Sequence, residues 1–192
     1  MEPLGVVSIL LFAAFVQSSA GFGNALVAMP FLTGLLGITI AAPLMALVGF
    51  SMAVVMVIHY RLSFHIGQVV PMIVGSLTGI MTASALIMLL PTIYTHEHAI
   101  ERLLGLLILA YITYDLTMHQ LPQMQDTWGY GLGMGGGVLA RLYNVGGPPA
   151  VMYAHARGWQ AQTFKGNLQT YALINGVIVL LARALQGEFT PT

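Results

Sequence analysis

Apolar runs fill most of this chain, and they alternate with short polar stretches and two clusters of glycine. A transmembrane helix needs roughly 20 apolar residues. Residues 4–20, 44–60, 69–90, 100–117 and 167–185 come close to that length, and the glycine-rich run 129–143 reads as a further span. Residues 25–36 and 148–156 are too short to cross and read as half-helices. Each follows a break. The first is Gly21-Phe22-Gly23-Asn24, the second Asn144-Val145-Gly146-Gly147-Pro148-Pro149. Glycine frees the backbone at these points, and the two prolines remove two N–H donors and fix φ. A helix running unbroken through 146–149 is therefore not expected, and Pro148 and Pro149 suit the first turn of a new short helix. In a bilayer, broken backbone survives only where protein or a wet cavity satisfies it. The alternative is an extramembrane turn.

The remaining stretches connect these elements. Residues 37–42 read as a short connection, with Pro43 near the next helix start, and 91–98 and 121–127 as polar loops. Residues 157–166 read as a polar link and 186–192 as a tail. Gly75, Gly79 and Ala83 recur at i, i+4 and i+8, a small face that lets membrane helices approach closely. The glycines between 129 and 137 likewise fit a helix packed tightly inside a bundle. Trp128 and Tyr130 suit an interfacial position.

Composition fixes the class. Only 6% of the 192 residues are charged and 57% are hydrophobic, with mean hydropathy +0.84. A soluble domain carries about 25% charged residues, so this is an integral membrane protein. The formal net charge is zero, which gives no field for nucleic acid. Without cysteine, disulfides and thiolate chemistry are excluded. No cofactor or metal motif stands out: His96-Glu97-His98 lacks the spacing that sets two ligands on one helical face. Glu2 precedes the first apolar run and no Lys or Arg does, so that run reads as a retained span rather than a cleaved signal peptide.

The order of span, break, half-helix, link and span occurs twice. Shifting the numbering by 125 lays Gly21 on Gly146, Ser19 on Asn144, Ala25 on Ala150 and Val54 on Val179. Broken segments at matching places in two halves point to a transporter's binding site. The expected architecture is all-α: a polytopic membrane helix bundle of two repeated units, 1–127 and 128–192, with broken, re-entrant half-helices. On this alignment the second unit stops at the counterpart of position 67. The counterparts of 69–90 and 100–117 would come from a longer chain or from a partner. The repeats are inverted if the short segments cross the bilayer and parallel if they re-enter.

An anion in a low-dielectric interior needs fixed donors. Helix starts supply unpaired N–H groups and roughly half a positive charge. The candidate substrate-binding residues are Gly21, Gly23, Asn24, Asn144, Gly146 and Gly147 at the breaks, with Asn167, Tyr171 and Asn175 in the last span. The last three lie within about 80° of one another around a helix. Gln17, Ser18 and Ser19 add further donors. All these side chains have a second use, satisfying backbone groups freed by the breaks. Arg141 reads either as a cation on an anion path or, preferably, as an arginine snorkelling to the interface.

The two break motifs, Gly21-Phe22-Gly23-Asn24-Ala25-Leu26-Val27-Ala28-Met29-Pro30 and Asn144-Val145-Gly146-Gly147-Pro148-Pro149-Ala150-Val151-Met152-Tyr153, resemble the TauE/SafE family of sulfite-exporter-like membrane permeases. The resemblance covers the whole chain. It implies two repeated units and transport of sulfite or a related organosulfur anion. Many members carry a run of glycines where this chain has Gly-Phe-Gly-Asn, so Asn24 is expected to alter what is bound. The expected function is a permease of the bacterial inner membrane that moves a small anion by alternating access. Its expected partners are the lipid bilayer and the anion, and a homo-oligomer is compatible with the sequence. The rivals are a passive anion channel, a membrane enzyme and an inactive membrane fragment that needs a partner. An enzyme would need a catalytic pair within reach, and the sequence offers none.

Overall fold

The computed structural model describes residues 3–89, 106, 109, 113, 117 and 124–189. Among them seven helices are bounded: α1 (Pro3–Ala20), α2 (Asn24–Leu36), α3 (Ile38–Tyr60), α4 (Ile66–Leu89), α5 (Thr127–Tyr143), α6 (Gly147–Ala156) and α7 (Ala161–Leu185). Of the span expected at 100–117, positions 106, 109, 113 and 117 are described, and each is helical. The rest of that span, the loop 91–98 and its His96-Glu97-His98 lie outside the described residues.

The first break falls where the glycines put it. Gly21 (φ 85°) and Gly23 (φ 103°) take left-handed backbone that a side chain would strain. At the second break the chain turns at the first residue of the motif. Asn144 takes the left-handed conformation (φ 58°), whereas Gly146 is right-handed (φ −80°). Asparagine visits this region more readily than most residues, and its Nδ2 donates to the Ala42 carbonyl across the bundle at 2.7 Å. Gly146 serves close approach instead. A Cβ there would lie 3.0 Å from the Gly136 carbonyl oxygen and 3.1 Å from the Ala140 Cβ.

Two links are shorter than the sequence pattern suggests. Gly37 alone separates α2 from α3, because its backbone (φ 73°, ψ 158°) is one that glycine adopts freely. Residues 38–42 are thus already helical, and Pro43 lies in the second turn of α3. Residues 161–166 also belong to a helix, since Gln and Lys are good helix formers despite their polarity. The link before them is clasped by an Arg157–Asp126 ion pair at 2.7 Å.

The small face of α4 packs as expected. A Cβ on Gly75 or Gly79 would fall 2.1 Å from the carbonyl oxygens of Tyr130 and Met134 on α5. Gly133 and Gly137 of α5 meet the carbonyls of Met72 and Ser76 equally closely. The two backbones touch, as small residues permit in membranes. Both α3 and α4 pack against α7. Phe12, Phe15, Phe31, Val55, Ile58 and Leu181 point outward, as a lipid-facing surface requires. By length and composition α3, α4 and α7 can each cross a membrane. The protein is an all-α membrane helix bundle. The series α1–α2–α3, of 18, 13 and 23 residues, is matched in order by α5–α6–α7, of 17, 10 and 25.

Candidate functional site

Both breaks open onto one cavity of about 110 Å³, and one face of α7 forms its far wall. The α7 residues on that wall run from Leu168 to Val179, the middle of a helix that spans Ala161–Leu185. A cavity needs roughly 10–15 Å³ to admit a water, so this one has room for several waters or a small oxyanion. Among the described residues, no Asp, Glu, Lys, Arg or His lines it. Its polarity comes from Gln17, Asn24, Asn144, Gln169, Asn175 and Tyr171.

Most of these amides repair the backbone. Gln17 Oε1 accepts from the Asn24 N–H at 3.3 Å, and Gln17 Nε2 donates to Gln169 Oε1 at 3.3 Å. Gln169 Nε2 in turn donates to the Gly21 carbonyl. The pair therefore clasps both ends of the first break. Asn24 Oδ1 accepts from the Ala25 N–H at 2.7 Å, while its Nδ2 faces Met52 Sδ. Asn144 is tied to Ala42, as described. Ser18 and Ser19 bond back to the Phe15 carbonyl on the exposed side of α1.

Two donors are left over. Ser76 Oγ donates to Asn175 Oδ1, which leaves Asn175 Nδ2 without a partner. The Tyr171 hydroxyl lies near this Ser76–Asn175 pair but makes no hydrogen bond of acceptable geometry. Both residues are almost fully buried, 4% and 3% exposed. Buried polar groups nearly always find partners, and these two belong to residues that line one cavity.

The helix starts supply the rest. Gly23 and Asn24 begin α2 on the cavity wall, and Gly146 and Gly147 begin α6 there. Pro148 and Pro149 have no N–H, so the N–H groups of Gly146 and Gly147 are what the second start can offer. A side chain on Gly147 would meet only Phe22, with its Cβ 3.6 Å from Cδ2.

Gly21, Gly23, Asn24, Asn144, Gly146, Gly147, Tyr171 and Asn175 are thus brought together around one cavity. Asn167 is not among its lining residues. It is fully buried at the start of α4, accepting from the His65 N–H at 2.6 Å and donating to Gln68 Oε1 at 3.0 Å. Gln169 also lines the cavity, and its partners are 148 and 152 residues away in the chain. Its place one residue before Thr170 on the polar side of α7 was the one local clue.

Cations flank the cavity along α7. Lys165 lies one turn before Leu168 and Gln169, its stem 3.0 Å from the Cβ position of Gly21 and its ammonium 3.5 Å from the Ser18 carbonyl. Arg183 lies one turn after Val179. Arg141 does not snorkel: it is 0% exposed, bonded to Ser84 Oγ at 3.0 Å and ion-paired with Glu188. The bundle closes over it because Glu188 and Gln186 fold back from the end of α7.

No curated protein and no solved structure matches the chain. The family described as Sulfite exporter TauE/SafE matches residues 6–192, which takes in both breaks, α7 and the cavity they enclose. With that match over nearly its full length, the chain belongs to the TauE/SafE sulfite exporter family.

Proposed function

We propose that the protein is a bacterial inner-membrane permease for a small anion, sulfite or a related organosulfur anion, working by alternating access. One observation carries this reading. Two half-helix starts and two unpartnered donors, Tyr171 Oη and Asn175 Nδ2, converge on one cavity, without a charged side chain among its described lining residues, midway along a membrane-length helix. Half-helix N-termini aimed at an anionic group near the midplane are a recurrent transporter device. The helix dipoles supply partial positive charge, so the site attracts an anion without a full countercharge that would hold it permanently. Lys165, half-buried at one end beside the Ser18 carbonyl, favours an anion approaching from that side. Among the described residues the cavity wall carries no carboxylate, and in this reading the anion crosses with its own charge.

The test is uptake of labelled sulfite by proteoliposomes containing the purified protein. Uptake saturates, unlabelled sulfite competes, and sulfite trapped inside accelerates entry by counter-transport. An inside-positive potential also speeds it. Flux that rises linearly with concentration and shows no counter-transport would replace the carrier with a passive channel. Movement of cations alone would end the proposal.

A further inference from the structure

The two breaks are built alike. An offset of 123 residues, two fewer than the sequence pattern suggests, lays Gln17 on Ala140, Gly21 on Asn144 and Asn24 on Gly147, and all six line the cavity. Gly21 and Asn144 both take left-handed backbone. The Gly21 N–H donates to the Gln17 carbonyl at 2.8 Å, and the Asn144 N–H to the Ala140 carbonyl at 2.9 Å. Helices α2 and α6 thus start from the same kind of turn, at Asn24 and Gly147.

The two starts differ in what meets them. A helix start offers N–H groups that have no partner within the helix. At α2 the first two are taken by amide oxygens of the protein. Gln17 Oε1 accepts from the Asn24 N–H at 3.3 Å, and Asn24 Oδ1 accepts from the Ala25 N–H at 2.7 Å. At α6 the places of Gln17 and Asn24 are held by Ala140 and Gly147, which have no side-chain oxygen. Among the described residues no side chain caps this start. Pro148 and Pro149 have no N–H to offer, which leaves those of Gly146 and Gly147.

The unpartnered side-chain donors stand on the same side. A Cβ on Gly136 would lie 2.5 Å from Tyr171 Oη and 3.3 Å from the Gly146 carbonyl oxygen, so the hydroxyl sits beside the start of α6. Asn175 follows one turn later on the same face of α7. Tyr171 is 3% exposed and Asn175 4%, and neither Tyr171 Oη nor Asn175 Nδ2 has a partner. At the same offset their counterparts on α3 are Val48 and Met52, which carry no N–H or O–H in their side chains. Met52 Sδ, a weak acceptor, is what Asn24 Nδ2 faces at 3.5 Å.

We propose that the cavity has one anion seat, at the start of α6, formed by the N–H groups of Gly146 and Gly147 with Tyr171 Oη and Asn175 Nδ2. Gln17 and Asn24 are positioning residues that close the equivalent seat at α2, their amide oxygens standing where an anion's oxygens would. The second unit then holds the anion, and the first supplies the facing wall. This assignment rests on the anion reading above and adds which start carries it.

The experiment is NMR of the purified full chain in detergent, titrated with sulfite against chloride at equal ionic strength. One sample carries isotope-labelled nitrogen in glycine and another in asparagine. The chain has four asparagines, Asn24, Asn144, Asn167 and Asn175, so the second spectrum is sparse and substitution assigns it. The backbone signals of Gly146 and Gly147 and the side-chain signal of Asn175 shift saturably with sulfite, with a common midpoint, while the backbone signals of Gly23 and Asn24 stay in place. Gln17→Ala frees the Asn24 N–H, whose signal then responds to sulfite. Asn24→Gly frees the Ala25 N–H, read with labelled alanine, and serves if the Gln17 variant does not fold. If the Asn24 backbone signal of the parent moves with sulfite as far as that of Gly147, the anion spans both starts and the single seat is refuted, while the transport reading stands. If neither variant gains a response at the first start, Gln17 and Asn24 only repair backbone and the closed seat does not exist. If no signal responds in the parent, the cavity does not bind sulfite, and the seat and the transport reading fail together.

Discussion

Asn144 is the residue on which the geometry of the second break turns, and its replacement separates two contributions. Asn144→Ala keeps the backbone N–H but places an ordinary side chain at φ 58°, at a cost of about 1–2 kcal/mol. It also removes the 2.7 Å bond to the Ala42 carbonyl, worth about 0.5–1.5 kcal/mol. The sum is roughly 1.5–3.5 kcal/mol by these two principles. Asn144→Gly loses the same hydrogen bond but adopts the left-handed region freely. Its greater freedom in the unfolded chain offsets part of that relief, by about 0.5–1 kcal/mol. The glycine variant should therefore be more stable than the alanine variant by about 1 kcal/mol, and both less stable than the parent. Reversible unfolding of the purified variants in mixed detergent measures the order. Should the alanine variant equal or exceed the glycine variant, the turn is not made at Asn144 in a left-handed conformation, and the account of the second break fails.

Other substitutions probe the surrounding structure. Gly147→Leu should fold as the parent does, since its Cβ meets only Phe22 at 3.6 Å, yet abolish sulfite binding by filling the cavity, as equilibrium binding on the folded variant would show. Gly146→Ala should instead lower stability, because its Cβ meets Gly136 and Ala140 at 3.0 and 3.1 Å, and unfolding should register about 1–3 kcal/mol. Gly137→Ala drives a methyl to within 2.2 Å of the Ser76 carbonyl oxygen, so α4 and α5 must part. The loss should match or exceed that of Gly146→Ala. Gln169→Leu strands the Gly21 carbonyl and Gln17, and should cost about 1–3 kcal/mol for each buried group left without a partner.

What the sequence made readable was local. The glycine and proline clusters announced both breaks because they act on the backbone where they stand. The Gly75–Gly79–Ala83 face announced a close helix contact because its period is that of a helix. The exact turning residue was harder to see. Gly146 keeps right-handed backbone and serves the tight contact with Gly136, while Asn144 turns the chain with help from Ala42, 102 residues away. The division of the polar residues into ligand donors and backbone repair was invisible for the same reason. Asn167, Tyr171 and Asn175 share a face of α7. That face meets the start of α4 at Asn167 and the cavity at the other two. Arg141 looked like an interfacial arginine because its partners, Gln186 and Glu188, come from the far end of α7.

The central claim is that a small anion is bound between the two breaks by donors the protein leaves unpaired. Tyr171→Phe tests it most directly, because the hydroxyl makes no hydrogen bond of acceptable geometry in the protein, and its removal leaves the ring and the bundle in place. The measurement is equilibrium binding of sulfite to the purified parent and variant, with unfolding recorded on both. A hydrogen bond to a charged ligand is worth about 1.5–3 kcal/mol, so the variant should unfold like the parent and bind roughly tenfold to a hundredfold more weakly. If Tyr171→Phe binds sulfite as tightly as the parent, the anion is not held in this cavity as described.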